Sequence, residues 1–108
     1  MVVMRETRRV SDCELCQAVR FTEWFYEDDE CWIAECESCL VPMVVLKTHD
    51  PHPGHDVKER LHARLLHVVG LVFVDEVYVD DNMRAIPDHY HAHARARGKW
   101  GRQPLTRR

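Results

Sequence analysis

Three histidines alternate with other residues near the C-terminal end of the chain. His89, His91 and His93 are separated by Tyr90 and Ala92. Side chains on a β-strand alternate between faces, so the three imidazoles are predicted to share one face, roughly 6.5–7 Å apart. Protonating all three would be self-repelling, which favours some neutral rings near pH 7. A neutral imidazole is a metal ligand and a nucleophile; the alternative is a solvated polar strand face.

Four of the five cysteines form two C-x-x-C pairs, which are separated by 19 residues. The pairs are Cys13 with Cys16 and Cys36 with Cys39. One pair brings two thiolates within reach of one ion, and two pairs can complete a tetrahedron around zinc. The spacing predicts a bound metal; the alternative is buried or redox-active thiols. The odd cysteine count and the lack of an export signal argue against a disulfide framework, and Cys31 is predicted to be a core thiol.

The elements that position these residues follow from periodicity and turn signals. Ser11 and Glu14 fit a capping box, which predicts a short N-terminal helix around the first C-x-x-C pair. Apolar residues at helical spacing predict one long helix over residues 56–69, with a cap at Asp56 and a stop at Gly70. The predicted strands cover residues 21–26, 31–34, 41–46, 71–79 and 88–95. This order indicates an α+β domain with an antiparallel sheet.

Length and charge exclude several classes of protein. A chain of 108 residues is predicted to form one domain over residues 11–95, with a flexible arm over 1–10 and a basic tail over 96–108. The net charge of −3 argues against a nucleic-acid partner. A membrane-spanning helix needs roughly 20 apolar residues, and the sequence has no such stretch. Together with the missing signal sequence, this predicts a cytoplasmic protein.

The alternating histidines resemble the signature of the histidine triad superfamily, His-x-His-x-His with apolar spacers. His89-Tyr-His91-Ala-His93-Ala matches it, with Arg95 where an apolar residue is usual. The resemblance extends in order over residues 13–95. Its other parts are Cys13 and Cys16 at an N-terminal C-x-x-C, residues 26–31 at an acidic turn, residues 44–49 at a strand ending in a lysine–histidine pair, and residues 56–69 at the long helix.

The resemblance implies a fold and an activity. The fold is a histidine-triad-like antiparallel sheet of about five strands with one long helix and a short N-terminal helix, usually as a homodimer. The activity is nucleotidyl hydrolysis or transfer on a phosphorus ester. His91 is the implied nucleophile that attacks the α-phosphate and holds a covalent nucleotidyl intermediate, and His93 the implied donor to a phosphate oxygen or to the leaving group.

The resemblance also implies a zinc site. In the zinc-bearing members it comprises the C-x-x-C pair, the histidine that ends the lysine–histidine strand and the first triad histidine. Carried over, the set is Cys13, Cys16, His49 and His89. Such a Cys₂His₂ set is a closed structural site, which would brace the sheet rather than activate water. The alternative set is Cys13, Cys16, Cys36 and Cys39; if the first set holds, Cys36 and Cys39 are candidates for a second site with His52 or His55.

The stretch before the triad departs from the family pattern. Active members usually place glycines there, with a glutamine or serine, to donate hydrogen bonds to the phosphate, whereas residues 83–88 contain no glycine and Pro87 has no backbone N–H. Arg84 is the predicted replacement, because a guanidinium suits phosphate geometry. Glu35 and Glu37 are the candidates for contacts to ribose hydroxyls.

Three functions are consistent with these motifs. The first is a zinc-stabilised, histidine-triad-like nucleotide-binding protein that hydrolyses or transfers nucleotidyl groups. The second is a non-catalytic module of the same fold, in which zinc and triad serve structure or binding. The third is a zinc-ribbon module that binds nucleic acid through the basic tail.

Overall fold

The computed structural model describes residues 23–36, 40–83, 86–98 and 104–108 of the chain. They form one five-stranded sheet in the order β1-β2-β3-β5-β4, and every neighbouring pair of strands is antiparallel. The elements are β1 (Trp24–Glu27), β2 (Cys31–Glu35), β3 (Pro42–Leu46), α1 (His55–Val72), β4 (Val77–Asp80) and β5 (His91–Ala96). The predicted α+β class, antiparallel sheet and long helix are confirmed. The predicted N-terminal helix lies outside the described residues.

The helix covers one face of the sheet and forms the main hydrophobic core with it. Leu61 and Leu65 of α1 are fully buried among the apolar residues of β2, β3 and β5. The strand residues of this core are Cys31, Ile33, Val44, Leu46, Ala92, Ala94 and Ala96. The three alanines of β5 leave room for the larger leucines, so the helix packs closely on this strand. Cys31 is buried as predicted, and burial raises the pKa of its thiol to about 11.

Both ends of the helix differ from the prediction. The N-cap is Gly54, and no side chain caps the first turn, so the cap predicted at Asp56 does not form. At the other end Gly70 lies inside the helix, which continues to Val72. The N–H of Phe73 donates to the carbonyl of Val69 at 2.8 Å, and the Phe73 ring is buried in the core. Packing of this ring outweighs the local preference of glycine for a helix end, and the predicted strand 71–79 shortens to β4.

An ionic cluster joins the turn between β1 and β2 to the helix. The carboxylate of Glu30 accepts hydrogen bonds from Arg60 at 2.7 Å and from Arg64 at 2.8 Å. The carboxylate of Asp28 accepts from the backbone N–H groups of Glu30 and Cys31 at 2.8 and 2.9 Å. The acidic turn therefore fixes the position of α1 over the sheet.

The last five residues pack on the domain. Leu105 is buried in the main core, and the N–H of Val74 donates to the carbonyl of Thr106 at 3.0 Å. The guanidinium of Arg107 lies over the rings of Phe25 and Phe73, 5.6 and 5.5 Å from their centroids. Part of the basic tail is thus attached to the helix end and to β1. Within the described ranges, no helix has both the length and the hydropathy needed to cross a bilayer.

Candidate histidine site on the sheet face opposite the helix

His91 and His93 lie on the face of the sheet that the helix does not cover. In the antiparallel pairing of β5 with β3, His91 is opposite Val45 and His93 is opposite Met43. Directly opposed residues share a face, and both Val45 and Met43 belong to a second apolar cluster that contains Trp32. The two imidazoles are 5% and 6% exposed, and their ring centroids are 5.5 Å apart at 83°. The predicted alternation therefore brings these two side chains together on β5.

The hydrogen bond of His91 selects one tautomer of its ring. Nδ1 lies 2.9 Å from the carbonyl oxygen of His89. Because a carbonyl only accepts, Nδ1 carries the proton and Nε2 holds a lone pair when the ring is neutral. This is the tautomer that a nucleophilic imidazole requires, with the reactive nitrogen on the side away from the carbonyl.

His89 precedes the strand and belongs to a different part of the site. β5 begins at His91, two residues later than a strand including all three histidines would require. His89 is fully buried, its Nε2 donates to the carbonyl of Leu46, and its Nδ1 lies 3.2 Å from Nδ1 of His49. Burial lowers the pKa of His89, which keeps this imidazole neutral. The triad thus divides into one ring paired with His49 and two rings on the sheet face.

The geometry of His49 and His89 fits two ligands of one tetrahedral ion. With Zn–N bonds of about 2.0–2.1 Å, two nitrogens on one zinc are about 3.3–3.4 Å apart, close to the distance between these Nδ1 atoms. The bond from His89 to Leu46 is the outer contact typical of a metal-bound imidazole. Nε2 of His49 is 3.7 Å from a carboxylate oxygen of Asp88, within ion-pair range. The same separation of 3.2 Å also fits a direct hydrogen bond between the two imidazole rings, which is the alternative to a shared metal ion.

Two of the four residues in the predicted Cys₂His₂ set, Cys13 and Cys16, lie outside the described residues. Among the residues that the structure describes, no group of three or more His, Cys, Asp or Glu side chains could hold a metal ion. The structure therefore brings together the histidine half of the predicted set.

Cys36 lies at the opposite end of β3 from the histidine pair. Its N–H donates to the carbonyl of Val41 at 2.8 Å, next to the start of β3, whereas His49 follows the end of that strand. Four steps along β3 span about 13 Å, so one ion cannot contact both Cys36 and His49. Cys36 therefore cannot complete the site at His49, and Cys39 lies outside the described residues.

The predicted second site does not assemble from Cys36 with His52 or His55. Nζ of Lys58, in the first turn of α1, lies 5.5 Å from the Tyr90 ring centroid. Tyr90 is bonded to Leu46, so the start of the helix lies at the end of β3 remote from Cys36. His52 is exposed, and His55 pairs with Glu59 at 3.1 Å.

The nucleotide contacts predicted from the sequence are only partly located. Glu35 is on β2 opposite Pro42, and it alternates with Ala34, which lies on the histidine face. Its side chain therefore belongs to the helix-side face of the sheet, and the predicted contact of Glu35 with ribose hydroxyls stays a prediction. Arg84 and Glu37 are outside the described residues.

Tyr90, between two of the histidines, faces the helix. Its hydroxyl donates to the carboxylate of Asp81 at 3.0 Å and lies 2.7 Å from Nε2 of His62, which donates to it. Burial lowers the pKa of His62. His62 is thus hydrogen-bonded within the fold.

Four further residues share the histidine face, and sequence reasoning did not assign them to the site. Trp24 and Trp32 stack with centroids 4.6 Å apart at 12°, and Trp32 is opposite Val45, the neighbour of His91. Nε of Arg95 donates to the carboxylate of Asp80 at 2.7 Å. The alternation that links His91 to His93 also places Arg95 on this face. The position of Asp80 could not be found in this way, because it depends on the register of β4.

Comparison of the chain with models of known protein families, with curated proteins and with solved structures finds no match. The resemblance to the histidine triad superfamily thus rests on the motifs of the sequence.

Proposed function

We propose that this protein is a zinc-stabilised, histidine-triad-like nucleotide-binding protein that hydrolyses or transfers nucleotidyl groups through His91. One observation carries the proposal: Nδ1 of His91 is bonded to the carbonyl of His89, which leaves the lone pair on Nε2, and the ring of His93 lies against that of His91. A nucleophile and a second imidazole are thus adjacent on one strand face. Both are buried, so attack takes place in a partly desolvated site.

The proposed reaction has two steps. Nε2 of His91 attacks the α-phosphorus of a phosphoanhydride, phosphoramidate or related ester; the Nε2–P bond forms and the bond from phosphorus to the leaving group breaks. His93 supplies a hydrogen bond or proton to a phosphate oxygen or to the leaving group. Water then attacks phosphorus, the Nε2–P bond breaks, and a nucleoside monophosphate is released. The carbonyl of His89 stabilises the positive ring of the intermediate through the N–H of His91.

Zinc would be held by Cys13, Cys16, His49 and His89. Bound there, it would supply a structural link from the N-terminal segment to the residues just before β5. The support is the separation of the two Nδ1 atoms and the outer hydrogen bond of His89. The four-cysteine set, with Cys36 and Cys39 in place of the histidines, is the competing assignment, and zinc analysis of a His49→Ala protein separates the two.

The catalytic proposal is tested by incubating the purified protein with adenosine phosphoramidate or a dinucleoside polyphosphate and measuring release of AMP. We expect turnover by the wild type and a loss of at least about 1000-fold in His91→Ala, because no other group forms the covalent bond. His67→Ala is the matched control, since His67 is an exposed histidine of α1. Absence of turnover by the wild type, or full activity of His91→Ala, contradicts the proposal.

A second candidate function is a non-catalytic binding module of the same fold. It is favoured by the stretch over residues 83–88, which has no glycine and offers no backbone N–H at Pro87 to a phosphate. Calorimetry with AMP and GMP distinguishes the two: nucleotide binding without turnover supports this candidate, whereas turnover excludes it.

The proposed assembly is a homodimer, as the resemblance implies. Sedimentation equilibrium should give twice the chain mass of 12.8 kDa. A single-chain mass at micromolar concentration contradicts it.

A further inference from the structure

The strand that carries His91 and His93 also carries a cation on the same face. Arg95 follows His93 by two residues, so alternation places both side chains on the face opposite the helix. The side chain of Arg95 is only 22% exposed, which is low for an arginine. In the histidine triad signature this position is usually apolar, so the charge is a property of this chain.

The side chain of Arg95 is bonded to a residue in the row that contains His93. Along the strand, Arg95 is opposite Tyr78, but its Nε donates at 2.7 Å to a carboxylate oxygen of Asp80, the residue opposite His93. Nε of Arg95 therefore lies within hydrogen-bond distance of the side chain that is paired with His93 across the two strands.

Asp80 holds the guanidinium in a fixed place. One carboxylate oxygen accepts from Nε of Arg95, and the other accepts from the backbone N–H of Asn82 at 3.0 Å. With both oxygens engaged, the carboxylate cannot rotate without losing a hydrogen bond. An arginine stays protonated at every physiological pH, so the positive charge that is paired with Asp80 is permanent.

We propose that Arg95 binds an anionic group that the ligand carries next to the phosphorus attacked by His91, and that the protein consequently prefers nucleoside diphosphates and polyphosphates to monophosphates. The inference deepens the proposed function and rests on it. A guanidinium is suited to this role because it donates charge-assisted hydrogen bonds to phosphate oxygens. Asp80 neutralises part of its charge, so the expected preference is moderate, about tenfold in Kd.

The test is calorimetry with inorganic pyrophosphate, AMP and ADP on the wild type, Arg95→Gln and Asp80→Asn. We expect the wild type to bind ADP about tenfold more tightly than AMP, and Arg95→Gln to lose this difference and to bind pyrophosphate about tenfold more weakly. Asp80→Asn is the matched control, because the amide oxygen of Asn can still accept the hydrogen bond from Nε of Arg95 while the opposing negative charge is removed. We expect it to retain pyrophosphate binding.

The outcomes separate this inference from the function on which it rests. Pyrophosphate binding that depends on Arg95, without any binding of AMP or ADP, leaves the anion site in place and contradicts a nucleotide ligand. Nucleotide binding with an ADP preference that survives Arg95→Gln overturns the role of Arg95. Equal loss in Arg95→Gln and Asp80→Asn also overturns it, since the ion pair would then be purely structural. No pyrophosphate binding by the wild type overturns it as well.

Discussion

The two faces of β5 differ in what they contribute to the protein. Toward the helix the strand presents Ala92 and Ala94, which are fully buried against the leucines of α1. Toward the other side it presents His91, His93 and Arg95, of which the first two are almost as deeply buried. One strand therefore serves a close-packed apolar core and a polar site, and burial alone does not distinguish the two.

The difference lies in how each face offsets the cost of burial. Burying a Leu side chain contributes about 1.5–3 kcal/mol without needing a partner, so the helix face is stable by itself. A buried polar group costs free energy unless it is hydrogen-bonded. On the histidine face, the bond from His91 to the His89 carbonyl and the pair of Arg95 and Asp80 offset part of this cost. We therefore expect substitutions on the helix face to change stability and substitutions on the other face to change binding.

Removal of the proposed zinc is expected to have the largest effect, because binding of structural zinc is coupled to folding of the whole domain. Structural zinc contributes on the order of 10 kcal/mol to folding, so chelation should unfold the domain or leave it marginally stable. His49→Ala should lower the zinc content and the urea midpoint. Metal analysis and urea unfolding with and without a chelator measure the effect. The metal site would be contradicted if the wild-type protein contained no zinc and its urea midpoint were the same with and without the chelator.

Leu65→Ala is expected to destabilise the core on the helix face of the sheet without affecting the histidine face. Leu65 is fully buried, so we expect the free energy of unfolding to fall by about 2–5 kcal/mol. The affinity of the remaining folded protein for pyrophosphate should not change. Leu66→Ala is the control, because this neighbour is 44% exposed and should cost much less. A tenfold weaker pyrophosphate affinity in folded Leu65→Ala would show that the two faces are coupled.

Glu30→Gln tests the ionic cluster on the helix side. Two hydrogen bonds from Arg60, together with one from Arg64, hold the pKa of Glu30 below its usual value. A carboxylate of lowered pKa stabilises the fold above its unfolded pKa of about 4.3, and this contribution is lost as pH falls through the folded pKa. We expect Glu30→Gln to cost about 1–2 kcal/mol at pH 7 and less near pH 3.

Urea unfolding from pH 7 to pH 3 measures this effect. Glu76→Gln, at an exposed position, is the control. An equal cost of Glu30→Gln at both pH values would show that the carboxylate charge of Glu30 does not stabilise the fold.

Tyr90→Phe is the mildest substitution, and it tests whether the side chain of Tyr90 contributes only to the helix face of the sheet. It removes the hydroxyl that joins His62 to Asp81, so we expect a cost of about 1 kcal/mol. Although Tyr90 is adjacent to His91, its side chain points to the helix, and AMP release should be unchanged. Thermal unfolding and the AMP assay check both expectations. A large loss of activity with a small loss of stability would place Tyr90 in the site.

Much of the fold follows from local patterns. The spacing of Leu61, Leu65 and Val68 predicts α1, and apolar β-favouring runs predict the strands of the hairpin from β2 to β3. The end of the helix could not be predicted, because the buried ring of Phe73 outweighs the local signal of Gly70. Of the candidate site, the shared face of His91 and His93 follows from alternation. The contact of His49 with His89, 40 residues away in sequence, needs the pairing of β3 with β5.

Which residues of β5 share a face follows from alternation, a local property of extended backbone. Alternation predicts that His89, His91 and His93 share one side and that Ala92 and Ala94 take the other, and His91 and His93 do so in the structure, whereas His89 lies before the strand. The side that the helix covers, and the residues that lie beside the histidines, depend on how distant parts of the chain pack together. Val45 lies opposite His91 and Asp80 lies opposite His93 because strand register is set by burial of the whole apolar face under α1, and this depends on contacts between distant parts of the chain.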